Sequence, residues 1–231
     1  MSKDIKDVIL RAENICKSYV QSSHTLHVLK KVDVQIKKGE IVTIVGPSGA
    51  GKSTLLHILG GLDQPNEGKV FIEGEDLYDL DDSDRARIRN KKIGFVFQFY
   101  HLLPEFTALE NTVLPVLVRE KNNNFRQYES LGMEMLSRVG LKERAKHKPN
   151  QLSGGEQQRV AIARSLINQP AIIFCDEPTG NLDSETGKDI IKLLIKLNRD
   201  NTQTLVIVTH DENIAKESHR TVYMKDGQLI Q

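Results

Sequence analysis

The chain has 231 residues, 39% of them hydrophobic and 27% charged, and a formal net charge of +1. That size and balance describe one sizeable globular domain, or one domain with a lobe, able to bury a core without covalent staples. Two cysteines, Cys16 and Cys175, lie far apart without metal-ligand spacing, which argues against a disulfide scaffold and fits a reducing cytoplasm. The start, MSKDIKD, has no apolar signal region, and no apolar stretch approaches the roughly 18–20 residues of a membrane helix. Any service to a membrane is therefore expected to run through a partner. Bulk charge argues neither for nor against nucleic acid, and no strongly basic stripe is visible.

In chain order, residues 8–36 and 69–72 read as strands with turns, an antiparallel flank. Residues 41–45 are apolar without alternation and run into Gly46, the pattern of a strand buried on both faces of a parallel sheet. A helix is predicted over 52–62. The acidic run 79–84 and the basic run 85–92 read as a solvated helix start and face. Residues 93–97, interrupted by Gly94, form a second buried run ending at Gln98. Helices are predicted over 109–119, 127–139 and 156–168, with a polar loop at 122–124. A third buried run, 171–175, holds Cys175 as an inert thiol and ends at Asp176. Residues 184–200 place Ile190, Ile191, Leu194, Ile195 and Leu197 at helical spacing behind Asp183, a candidate N-cap. A fourth run, 205–208, leads through Thr209 to His210. A short helix over 213–218 and a strand over 221–225 close the chain. There is no internal repeat and no low-complexity tail.

The expected fold is α/β with a mostly parallel central sheet. Residues 1–97 and 170–231 would form the core with its antiparallel β flank, and 98–169 an inserted helical lobe, all within a single domain. In open α/β sheets the ligand site lies beyond the carboxyl ends of the strands, so Gly46, Gln98, Asp176 and His210 are expected to face one crevice.

Gly46, Pro47, Ser48, Gly49, Ala50, Gly51, Lys52, Ser53 and Thr54 match G-x-x-x-x-G-K-[ST] between a strand and a helix. Glycines let the backbone turn its N–H groups toward phosphate oxygens, and the helix N-terminus adds positive potential. Lys52 would reach the β- and γ-phosphates, and Ser53 would ligate Mg²⁺. A plain glycine turn explains the bend but not the lysine and hydroxyl that follow. Kinases, GTPases and motors share this loop, so by itself it specifies a P-loop nucleotide binder and no particular reaction.

Asp176 and Glu177 follow a buried run. An aspartate there can hold Mg²⁺ through its water shell, and the next carboxylate can polarise the attacking water. His210 is open to two readings, a partly buried histidine with a satisfied hydrogen bond or a group that contacts the γ-phosphate.

Leu152-Ser153-Gly154-Gly155-Glu156-Gln157-Gln158-Arg159 resembles the signature of the ATP-binding cassette transporter family. Ser153, Gly154 and Gly155 precede a helix whose N-terminus can receive an anion, and Ser153 with Glu156 also forms a capping-box pattern. The resemblance covers essentially the whole chain and implies ATP and Mg²⁺ as cofactors, ATP hydrolysis, and a pair of cassettes in which Ser153, Gly154 and Gly155 act in trans. It implies an adenine-stacking role for Tyr19, Mg²⁺ sensing and partner coupling for Gln98, and an interface loop at Asn181-Leu182-Asp183. It also implies two transmembrane permease subunits, no nucleic-acid partner, and a place at the cytoplasmic face of a bacterial inner membrane.

Residues 98–111, QFYHLLPEFTALEN, and 55–63, LLHILGGLD, resemble more narrowly the ATPases of lipoprotein-releasing systems. Relatives that export macrolides or peptides, or that act in cell division, share the same motifs. Phe99, Leu102, Leu103 and Phe106 suit either a groove for a partner helix or the core of the helical lobe. A small-molecule kinase would share the phosphate loop but has no use for the signature. Repair cassettes carry long coiled-coil insertions, and translation-type cassettes usually come in pairs on one chain; neither feature occurs here.

Overall fold

The computed structural model describes residues 7–21, 24–120 and 124–230. In chain order its elements are β1 (Val8–Gln21), β2 (His24–Lys37), β3 (Ile41–Val45), α1 (Lys52–Leu59), β4 (Glu67–Ile72), β5 (Glu75–Asp76), α2 (Asp82–Lys92), β6 (Ile93–Phe97) and α3 (Ala108–Arg119). There follow α4 (Phe125–Arg138), α5 (Gly154–Leu166), β7 (Ile172–Asp176), α6 (Ser184–Asn201), β8 (Thr204–Thr209), α7 (Glu212–Lys216), β9 (Arg220–Lys225) and β10 (Gln228–Ile230). Of the polar loop predicted at 122–124, Asn122 and Asn123 lie outside the described residues. The chain divides into two compact units, Met1–Ala86 with Asn198–Gln231, and Arg87–Leu197.

In the first unit an antiparallel sheet of order β2-β1-β4-β5 forms the expected flank. Leu10, Ile15, Ile36, Val70 and Ile72 bury its inner face. β3 pairs in parallel with β8 on one side and β9 on the other, and β10 closes antiparallel on β9. Every residue of β3 and β8 is buried, as their unbroken apolar runs required. α1 buries Leu55, Leu56, Ile58 and Leu59 completely, each such side chain contributing about 1.5–3 kcal/mol. The helix ends at Leu59, short of the predicted 62. Gly60 and Gly61 stop it: Gly61 takes φ 70° and their amides bond back to Leu56 and Ile58. The amides of Leu62 and Asp63 then both return to the His57 carbonyl.

In the second unit β6 and β7 pair in parallel, with Phe97 opposite Asp176. α5 packs on β6, and α3 and α4 pack on α5 and on each other. Gly94 interrupts the apolar run for a packing reason: a Cβ there would lie 2.6 Å from the Ser165 carbonyl oxygen on α5. Thr107 and Glu110 cap α3 reciprocally. Asp183 accepts from the amides of Glu185 and Thr186, the capping role expected of it at the start of α6.

Candidate active site

The phosphate loop leaves β3 at Gly46, where a Cβ would sit 2.1 Å from the Met224 carbonyl oxygen, so no larger residue fits without moving β9 or the loop. Gly51 is the N-cap of α1 at φ 101° and closes on the Val28 carbonyl, where a Cβ would lie 2.9 Å away. A left-handed N-cap in close contact with backbone calls for glycine. Pro47, Ser48 and Gly49 are exposed and Ala50 is buried. The Lys52 ammonium donates to the carbonyls of Gly46 (2.8 Å) and Pro47 (3.0 Å), which folds it back over the loop it follows. A helix N-terminus with a lysine folded over the loop before it fits a polyphosphate. Ser53 is exposed at the start of α1 and Thr54 half-buried.

His210 follows β8 at the level where Gly46 follows β3, because Val45 and Thr209 are paired. His210 is exposed, not the partly buried histidine of the plainer reading. Tyr19, also exposed, donates its hydroxyl to Asp63 at 2.7 Å.

The second unit brings together another pair of strand ends. Gln98 follows Phe97, and Phe97 is paired with Asp176. Gln98 Nε2 donates to Asn181 Oδ1 (3.1 Å), and Asn181 Nδ2 returns to the Gln98 carbonyl (3.0 Å). These two hydrogen bonds tie the end of β6 to the loop after β7. Glu177 takes φ 44°, a left-handed conformation uncommon for glutamate, at the head of a turn closed by Gly180 N to Glu177 O. Such strain concentrates where a side chain must be aimed.

Ser153 caps α5: the Glu156 amide donates to its Oγ (3.2 Å), and its own amide donates to Glu156 Oε2 (2.8 Å). Arg144 Nε holds the other Glu156 oxygen at 3.1 Å. A Cβ at Gly155 would lie 2.4 Å from Thr186 Cγ2, and one at Gly154 2.8 Å from the Tyr100 hydroxyl. Glycine at 155 is thus a packing requirement against the stiff Thr186 side chain.

The sequence did not single out Gln158. It is fully buried, and its Nε2 donates to the carbonyls of Pro178 (2.6 Å) and Phe97 (3.2 Å). One amide thereby fixes the residue before Gln98 and the residue after Glu177. The signal was present, since a polar residue on the buried face of α5 needs partners. Which partners it has is a tertiary fact. Among the described residues no helix is long and apolar enough to cross a membrane.

Fold and loop together define a P-loop nucleotide-binding protein. Residues 29–180 match the family described as ABC transporter. The chain is 47% identical over 225 residues to the lipoprotein-releasing system ATP-binding protein LolD of Legionella pneumophila (strain Lens), covering 97% of this chain and 98% of that protein. It is 49% identical over 223 residues to the uncharacterized ABC transporter ATP-binding protein MJ0796 of Methanocaldococcus jannaschii, covering 96% and 95%. A solved dimeric structure of the ATP-binding cassette MJ0796 in a post-hydrolysis state, bound to ADP and Pi, superposes with a TM-score of 0.88 at 47% identity, covering 96% of this chain and 97% of that one. The cassette cbiO1 of Clostridium perfringens, part of the cbiONQ complex, gives 0.84 at 29% identity, covering 97% and 88%. The chain belongs to the ABC transporter family and is one of its ATP-binding, ATP-hydrolysing cassettes.

Proposed function

We propose that this cassette drives the inner-membrane complex that releases lipoproteins for delivery to the outer membrane. The observation that carries this is the 47% identity to LolD across 97% of the chain. The equal closeness of MJ0796, whose name gives no cargo, keeps an exporter of macrolides or peptides as the second reading.

In this reading residues 98–169 act as an inserted lobe on a core of 1–97 and 170–231. The 46–54 loop and Lys52 hold the triphosphate, Tyr19 stacks on adenine, and Ser53, Gln98 and Asp176, the last through water, supply hard oxygen donors suited to Mg²⁺. An ion held there would supply charge neutralisation to the phosphates. Glu177 takes up the proton of the attacking water, and His210 steadies the γ-phosphate. Ser153, Gly154 and Gly155 of one copy cover the nucleotide of a second. ATP closes the pair and hydrolysis opens it, so the nucleotide biases a two-state element.

Two permease subunits would take up that motion. Phe99, Leu103 and Phe106 are 66%, 41% and 36% exposed, which favours a groove for a partner helix over a place in the lobe's core, while Leu102 is half-buried. On this reading the cassette sits at the cytoplasmic face of the inner membrane and touches the membrane only through its partners, with no nucleic-acid role.

The test is to purify the membrane complex through a tag on this chain and identify what accompanies it. Two related permeases with large periplasmic domains are the expected result; a single exporter-type permease would overturn the cargo assignment. Glu177→Gln in the same complex should bind ATP, hydrolyse it slowly and accumulate as a closed dimer, and normal turnover would remove Glu177 from its role.

A further inference from the structure

A second polar cluster in the first unit takes no part in the proposed hydrolysis, and it converges on Tyr19. The Tyr19 hydroxyl donates to Asp63 Oδ2 at 2.7 Å. The other carboxylate oxygen accepts from Lys17 Nζ at 2.7 Å, and Lys17 also donates to the Gln64 carbonyl at 2.7 Å. The Lys17 ammonium lies over the Tyr19 ring, 5.0 Å from its centroid. Lys17 is only 9% exposed, so Asp63 is also the partner that keeps a largely buried cation paired. The Tyr78 hydroxyl is shared between the carbonyls of Ile58 (2.5 Å) and Asp63 (2.6 Å), and the Asp63 amide returns to His57. Asp63 is thereby anchored to the C-terminal end of α1, the helix whose N-terminal end is the phosphate loop.

We infer that Asp63, fixed by Lys17 and Tyr78, is a positioning residue that locks the Tyr19 ring to the phosphate-loop helix, so that a nucleobase meets a platform already placed relative to the triphosphate cradle. The inference rests on the reading of Tyr19 as the base platform. Its physical content is pre-organisation. Tyr19 is 40% exposed near the end of a strand, and without its hydroxyl bond the ring would have to be immobilised by the ligand at a cost in affinity. Lys17 lies over one face of the ring, so on this reading the base would take the other. Burial and the Asp63 carboxylate raise the Tyr19 phenol above its ordinary pKa, against a smaller opposing bond with Thr54, so the hydroxyl keeps its proton and goes on donating.

The test measures equilibrium binding of ATP and of tripolyphosphate, which has no base, to the full chain and its variants. Tyr19→Phe keeps the stacking face and removes only the hydroxyl, so it leaves Lys17 paired and the fold intact. ATP affinity is expected to fall about twofold to tenfold while tripolyphosphate affinity stays put. Asp63→Ala added to Tyr19→Phe breaks no further bond to Tyr19, so the ATP-over-tripolyphosphate ratio should stay that of Tyr19→Phe, whatever the unpairing of Lys17 costs both ligands alike. Tyr19→Ala should lose more ATP affinity than Tyr19→Phe. Parental ATP affinity in Tyr19→Phe alongside a loss in Tyr19→Ala would overturn the role of Asp63 and leave the platform standing. No loss in Tyr19→Ala would overturn the platform itself. Equal losses for both ligands in Tyr19→Phe would show damage unrelated to the base and would also overturn the inference.

Discussion

Replacing Gln158 with methionine, nearly the same shape without the amide, isolates what one buried side chain does for two functional loops. The amide orientation is dictated by its partners: both Phe97 and Pro178 present carbonyl oxygens, so the nitrogen must face them. The Gln158 Oε1 is buried without a partner and forgoes nothing when removed. Each lost hydrogen bond is worth about 1 kcal/mol, and the short one to Pro178 leaves behind a buried carbonyl deprived of this donor, at about 1–3 kcal/mol. Net of the relief at Oε1, the loss comes to about 2–3 kcal/mol, within the 5–15 kcal/mol or so of a folded domain. With a urea dependence of about 3 kcal/mol per molar, the midpoint should fall by about 0.7–1 M. The functional effect should be larger than the stability effect. Pro178 adjoins Glu177, and a displacement of about 1 Å in a catalytic group costs about a hundredfold in rate. ATP turnover is expected to drop about tenfold to a hundredfold, with ATP affinity falling less, because the two carbonyls that Gln158 releases, Phe97 and Pro178, lie outside the 46–54 loop. Urea titration, steady-state phosphate release and nucleotide binding check the three parts. A parental midpoint with parental turnover would refute the claim that this amide sets the Glu177 turn.

Gly46→Ala places a methyl 2.1 Å from the Met224 carbonyl oxygen; the loop must shift, at a cost of about 1–3 kcal/mol in stability, and ATP binding should be lost where the parent saturates. Acid should destabilise the chain through three carboxyls held below their usual range. Glu156 is held down by the Ser153 amide and Arg144, and Asp183 by Thr186; at Asp63 burial pushes upward but bonds from Lys17 and Tyr19 outweigh it. Depressed folded-state values mean the stabilisation is full above the ordinary carboxylate pKa of about 4 and is lost as pH falls below it. Urea midpoints should therefore hold at neutral pH and decline only below that value, and a decline beginning near pH 7 would contradict the assignment. Burial, with Asp176 next in line, pushes the Cys175 thiol far above its usual range. A thiol reagent should therefore label the half-buried Cys16 in the native chain and reach Cys175 only on unfolding; rapid native labelling of Cys175 would refute it.

Local patterns sufficed for much of this protein. Unbroken apolar runs placed β3, β7 and β8, because buried strands leave no polar alternation to misread, and β6 was placed by a run that only Gly94 interrupts. The 46–54 loop was legible because glycine, lysine and hydroxyl spacing is itself the chemistry of a phosphate cradle, and the 152–159 stretch was legible through its resemblance to a family signature. Helix ends were less legible: α1 stops at Leu59 because Gly60 and Gly61 turn the chain back, although apolar Leu62 continues the pattern. Only the tertiary structure decided that Gln158 reaches the carbonyls of Phe97 and Pro178, that Glu177 sits in a left-handed conformation, and that Asp63 holds Tyr19 across a separation of 44 residues. The physical reason is common to all three. Residue type declares what a side chain can donate or accept, but a hydrogen-bond partner distant in sequence is chosen by packing, and no local spacing records which one it will be.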